Sequence, residues 1–120
     1  MKYTNASIKK FAQYVKNNNK KIILFGSGAV CKTFIPYILD QYGISEHVLL
    51  VIDNNPAKQG LTIRFNKKVV RVCCIDVLER CKEDYCIVIT NGDFYSVMDQ
   101  LDRIKECKDK VCFIAAVIQL

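Results

Sequence analysis

Five short apolar runs punctuate the chain, at 21–25 (KIILF), 48–52 (VLLVI), 69–73 (VVRVC), 85–90 (YCIVIT) and 111–117 (VCFIAAV). Runs of this length, rich in Val and Ile and set between polar or glycine-containing segments, read as strands buried on both faces, as parallel strands are. Stretches with helical spacing lie between them. Residues 29–41 put Val30, Phe34, Tyr37, Ile38 and Leu39 on one side. Pro36 falls inside that stretch, where its missing N–H leaves a kink or an open turn. Residues 75–82 read as a short helix with Ile75, Val77 and Leu78 inward. Residues 94–106 repeat Phe94, Val97, Met98, Leu101 and Ile104 at helical spacing.

Alternating strands and helices with right-handed crossovers give an α/β fold: a three-layer, doubly wound, parallel five-stranded sheet in the order 3-2-1-4-5. One more helix is expected ahead of this pattern, at 4–17, where Ile8, Phe11, Ala12 and Val15 make an apolar stripe. Residues 1–19 therefore read as an appendage that packs on the sheet or meets another chain, and 20–120 as the domain proper. The stretch 53–68 (DNNPAKQGLTIRFNKK) is too polar, and too broken by Pro56 and Gly60, for a helix. It reads as a turn followed by a short extended piece at 61–65.

At 120 residues the chain has room for one domain. Its net charge of +6 suits an anionic ligand, a phosphate or an acidic surface, and equally serves solubility. Lys far outnumbers Arg and no Arg stripe occurs, so no dedicated nucleic-acid surface is expected. No apolar run approaches the roughly 20 residues of a membrane-spanning helix, and MKYTNASIKK lacks the apolar core of a secretory signal. A cytoplasmic location is the resulting expectation. The seven cysteines are odd in number, never spaced as CxxC, and accompanied by a single histidine, His47. They read as small buried hydrophobes, with no metal site expected.

The sharpest local signal is Gly26-Ser27-Gly28, between the first apolar run and a helix. Gly26 permits a tight turn, and Gly28 lets a ligand approach the backbone. The free N–H groups around Ala29 and Val30 then meet an anion with the helix dipole behind them, and the Ser27 hydroxyl adds a donor. Cys31 occupies the place of a third glycine. Asp53 ends the second strand 25 residues after Gly28. It suits the hydroxyls of a ribose, and equally suits the opening of the DNNP turn. Thr90-Asn91-Gly92-Asp93 follows the fourth strand and is expected to border the crevice with 26–30 and 53–54. Asn91 either bonds a ligand there or, like Asp93, caps the next helix. Lys58, Arg64, Lys67 and Lys68 are expected to crowd the loop beside Asp53, as phosphate contacts, subunit contacts or solvated charges. No nucleophile with its base and no carboxylate pair stands out, so no catalytic residue is assigned and a binding role is expected.

KKIILFGSGAVCKTFIPYIL, VLLVIDNNPAKQG and YCIVITNGDFYSVMDQL together resemble the Rossmann-like domains of bacterial sugar-modifying and polysaccharide-biosynthesis proteins. Relatives are the N-terminal domain of sugar O- and N-acyltransferases and domains attached to glycosyl- and methyltransferases. The DNNPAKQG loop is the most specific part. The resemblance implies a nucleotide- or nucleotide-sugar-binding module, with UDP-sugar or NAD(P) as the candidate ligand and the transfer chemistry in another domain. It implies that Gly26, Ser27 and Gly28 line the phosphates and that Asp53 and Asn54 meet the nucleoside. Two rivals stand beside it. One is an NAD(P)-dependent oxidoreductase domain. The other is a ligand-free structural module in which the 4–17 helix and the basic loop serve a homodimer.

Overall fold

The computed structural model describes residues 1–114. Among these residues seven strands and three α-helices follow in the order β1 (Lys2–Thr4), α1 (Ile8–Asn18), β2 (Lys21–Phe25), α2 (Ala29–Gln41), β3 (Val48–Ile52), β4 (Thr62–Phe65), β5 (Lys68–Cys73), β6 (Tyr85–Ile89), α3 (Phe94–Asp102) and β7 (Val111–Ile114). They form one sheet in the order β1-β7-β6-β2-β3-β5-β4. This corrects the expected five-stranded, all-parallel sheet: there are seven strands, although the five expected ones stand among them as β5-β3-β2-β6-β7, the order 3-2-1-4-5, between the two that were not foreseen. The sheet is mostly parallel, but β4 runs antiparallel to β5. Strands β1 and β4 are its two edges.

The two added strands have different causes. In β4, Ile63 and Phe65 are buried while Thr62 and Arg64 are exposed, the alternation of a strand with one covered face. Phe65 pairs with Lys68 across the two-residue turn Asn66-Lys67. Asn66 takes φ 57°, a conformation Asn tolerates better than most side chains. Strand β1 pairs in parallel with β7 through Lys2–Val111, Tyr3–Cys112 and Thr4–Phe113. The first helix therefore starts at Ile8, not residue 4, with the Ser7 hydroxyl capping the Lys10 amide at 3.2 Å.

Other boundaries shift too. Helix α2 runs through Pro36 to Gln41. The expected 75–82 helix is a 3-10 turn at Ile75–Glu79. The expected 94–106 helix stops at Asp102, because Ile104 turns extended (φ −96°, ψ 109°) and leads Cys107 into the interior. Of the expected strand 111–117, positions 115–117 lie outside the described residues.

The sheet is the middle layer. On one face α1 and α2 bury Phe11, Val15, Ile35 and Leu39 against Ile22, Leu24, Val51 and Val88. On the other, α3 and the 3-10 turn bury Val97, Leu101 and Leu78 against Ile23, Phe25, Ile87 and Ile89. Tyr3 links the β1 edge to α3, donating its hydroxyl to the Met98 carbonyl (3.0 Å) and to Asp102 (2.8 Å). Strands β2, β3 and β6 end together at one rim, and the residues that follow them build the site. No helix among the described residues is long and apolar enough to cross a membrane.

Candidate functional site

Strand β2 must turn sharply to enter α2, and Gly26 makes the turn. Its φ of 118° disfavours side chains, and a β-carbon there would lie 2.8 Å from Thr90 Oγ1 and 3.1 Å from the Asn91 amide nitrogen. The close approach is fastened by Thr90, whose hydroxyl donates to the carbonyls of Phe25 (3.1 Å) and Gly26 (3.0 Å). Gly28 then caps α2 with no side chain to satisfy the first turn. The amides of Ala29, Val30 and Cys31 stand in that turn, where no intrahelical acceptor exists. No acidic side chain belongs to that first turn.

A hollow of about 310 Å³ opens in front of these amides. Gly26, Ser27, Gly28, Ala29, Val30, Asp53, Thr90, Asn91 and Gly92 line it. Small residues make most of this wall, and a β-carbon on Gly28 would meet nothing within 4 Å. Asp53 is the one ionisable side chain among the described lining residues.

Asp53 takes the turn-opening part expected of it and adds one that the sequence did not show. Its Oδ1 accepts the Asn55 amide at 2.9 Å, which opens the DNNP turn. Its Oδ2 accepts both the amide (2.9 Å) and the hydroxyl (2.5 Å) of Ser27. Burial works against the charged carboxylate, but the Ser27 hydroxyl, the two amides and nearby Lys58 outweigh it and hold the carboxyl below its ordinary value. The donors of Ser27 are thus spent on Asp53, and the hydroxyl expected to face a phosphate faces a carboxylate. The loop is braced again by Gln59, whose side-chain amide donates to the Asp53 carbonyl at 2.9 Å.

Seven of the eight residues singled out in the sequence meet at the hollow. Asn54 does not line it. Its side chain forms a paired amide contact with Gln100 of α3, at 2.6 and 3.2 Å. Asn91 lines the hollow and also accepts the Asp93 amide at 2.9 Å, bracing the turn into α3. Of the expected turn at 90–93, Thr90, Asn91 and Gly92 line the hollow and Asp93 does not. The part the sequence did not show is that of the Thr90 hydroxyl, which fastens the Gly26 turn. Cys31 is buried under α2, and burial, reinforced by the Asp53 charge, pushes its thiol up to about 12. It packs as an apolar group. The thiols of Cys86 and Cys112 are likewise pushed up to about 12 by burial.

The expected basic cluster beside Asp53 does not form. Lys67 and Lys68 lie at the β4–β5 turn, near the start of β3, while Asp53 follows its end. They border a second hollow of about 510 Å³ with Ser45, Glu46, Phe65 and Asn66. Lys68 there donates to the Glu46 carbonyl at 3.2 Å. Only Lys58 is near enough to Asp53 to support its charge. His47 bonds the Lys20 carbonyl at 3.0 Å through Nδ1, ahead of β3 and away from the hollow.

No family model matches the chain, and no curated protein matches it. Among solved structures it is similar to aspartate semialdehyde dehydrogenase II from Vibrio cholerae, in a complex with ASA (TM-score 0.55, 16% identity) and in a second structure (TM-score 0.55, 15% identity). The matches cover 81% and 80% of this chain and 28% of each dehydrogenase chain. Neither is a sugar-modifying protein, so the sugar-modifying and polysaccharide-biosynthesis context gains no support from them. At this identity the likeness is one of fold, and with the observed layers and strand order it makes this chain an α/β domain of Rossmann-like type.

Proposed function

We propose that this chain is a nucleotide-binding domain whose ligand lies in the hollow at the ends of β2, β3 and β6. One observation carries the reading: the first turn of α2, which holds no acidic side chain of its own, and the Asp53 carboxylate flank the same open space, lined mostly by small residues. An anion is favoured at the helix end, and a sugar hydroxyl at the carboxylate. Gly26 shapes the turn, Gly28 keeps the approach clear, Ala29 and Val30 offer amides to the phosphates, and Asp53 accepts from the ribose. Asn91 and Gly92 close the side nearest β6. Asp53 is held as an anion by its own donors, which suits it to accept hydrogen bonds rather than to take a proton in a reaction. The chain therefore binds, and the chemistry comes from residues beyond those that line the hollow.

Two ligand classes fit this arrangement. A nicotinamide dinucleotide is favoured by the likeness to dehydrogenases, of which the chain spans 28%. In that reading it is the cofactor-binding part of an oxidoreductase, and the negative Asp53 favours a free 2′-hydroxyl over a 2′-phosphate. A nucleotide sugar such as a UDP-sugar is the second class, carried by the DNNPAKQG loop and its resemblance to domains of sugar-modifying proteins. Isothermal titration against NAD, NADP, UDP-glucose and UDP-N-acetylglucosamine separates them. Saturable heat with NAD alone supports the first, and with a UDP-sugar alone the second. No heat from any of the four at millimolar concentration contradicts nucleotide binding.

A further inference from the structure

We propose that Ser27 limits how the site reads a sugar: by occupying Asp53 Oδ2 with two donors, it leaves the carboxylate one hydrogen bond for a ligand where a ribose diol offers two. The inference rests on the nucleotide reading above. A carboxylate has about four acceptor positions, two on each oxygen. On Asp53, Oδ2 takes the Ser27 amide at 2.9 Å and the Ser27 hydroxyl at 2.5 Å, and Oδ1 takes the Asn55 amide at 2.9 Å. One position, on Oδ1, is left for the ligand.

The two Ser27 bonds resist displacement. Both fall in the distance range of charge-assisted bonds. Ser27 is 1% exposed, so a hydroxyl pushed off Asp53 finds no water to replace its partner. The groups that act on this carboxylate are Ser27 from the β2–α2 turn, Asn55 and Lys58 from its own loop, and the Cys31 thiol from α2. None of the others supplies a competing hydroxyl. With one acceptor position open, either the 2′- or the 3′-hydroxyl of a ribose fills it, and removing one leaves the other to serve. The site thus tolerates the loss of a single sugar hydroxyl, unlike a site that grips both.

The experiment pairs ADP with 2′-deoxy-ADP and UDP with 2′-deoxy-UDP in calorimetry on the native chain and on Ser27→Ala, Ser27→Gly and Ser27→Thr. For whichever base binds, the native chain holds the two members of a pair within about threefold. Ser27→Ala and Ser27→Gly open a second acceptor position and raise the preference for the ribose form to roughly tenfold, the worth of one charged hydrogen bond. Ser27→Thr keeps the hydroxyl and the native ratio. NMR titration of the Asp53 carboxyl, without ligand, moves up toward the ordinary carboxylate value in the Ala and Gly variants and stays low in Thr. A native preference above tenfold, a ratio unchanged in Ser27→Ala, or an Asp53 titration unmoved by that substitution each overturns the proposal while leaving nucleotide binding intact. Failure of both nucleotide pairs to bind the native chain overturns it, and the parent reading falls with it when NAD, NADP and the two UDP-sugars also give no heat.

Discussion

At Gly28 a β-carbon would meet no heavy atom within 4 Å, and the backbone φ of −72° suits any residue. Gly28→Val should therefore leave the melting temperature within a few degrees of native while filling the approach to the α2 amides. Nucleotide affinity in the same calorimetric assay should drop by more than tenfold. Gly26 is the opposite case. Its φ of 118° and the 2.8 Å approach to Thr90 mean that Gly26→Ala strains the turn itself. Urea unfolding should register a loss of about 1–3 kcal/mol. Asp53 gives a pH signature. Because its folded carboxyl lies below the unfolded value of about 3.9, its stabilisation is complete at neutral pH and is lost as pH falls below about 4 through the folded value. Asp53→Asn should remove that part of the acid transition, followed as unfolding free energy against pH. The Gly-Ser-Gly turn, Asp53 and Asn91 were legible in the chain because turn chemistry is local. The Ser27–Asp53 bonds, 26 residues apart, and the Asn54–Gln100 contact, 46 apart, were not, since no local pattern records which polar groups meet across a fold.

Among the elements, α1 takes the first of its two expected parts and packs on the sheet. Phe11 is fully buried, and its ring meets that of Phe113 on β7 edge-on, with centroids 4.9 Å apart. Phe11→Ala should cost about 3–5 kcal/mol by the transfer and cavity cost of an aromatic side chain, measured by urea unfolding. A cost below 1 kcal/mol would contradict the packing of α1 on the sheet and favour the other expectation, that it meets another chain. In α1 and α3 the buried stripe was foreseen because it repeats over several turns. In α2 the buried face is Cys31, Ile35, Ile38 and Leu39, and Val30 and Tyr37 of the expected side are exposed. Strands β1 and β4 were not foreseen, for physical reasons that differ. At three residues, β1 is too short to show a period, and it is a strand only because β7 supplies its hydrogen bonds. The pairing of β4 depends on the left-handed Asn66, which reads in sequence as an ordinary polar residue within a basic stretch. The ends of α3 and of the 75–79 turn depend on burial of Cys107 and Leu78, a tertiary demand that overrides helical spacing.

For the whole molecule, three layers serve to hold one rim steady. Both faces of the sheet are covered where β2 and β6 run, which fixes the strand ends that carry Gly26, Asn91 and, beside them, Asp53. The net charge of +6 favours an anionic guest over the whole surface, and the first turn of α2 gives that preference a location. The comparison that tests this most directly is a map of backbone amide shifts in the isotopically labelled protein as NAD or a UDP-sugar is added. Saturable changes concentrated at Ala29, Val30 and Cys31, with Asp53 and Asn91 next, are expected. Changes centred on Ser45, Lys67 and Lys68, or no changes at millimolar ligand, would contradict the assignment of the nucleotide to this rim.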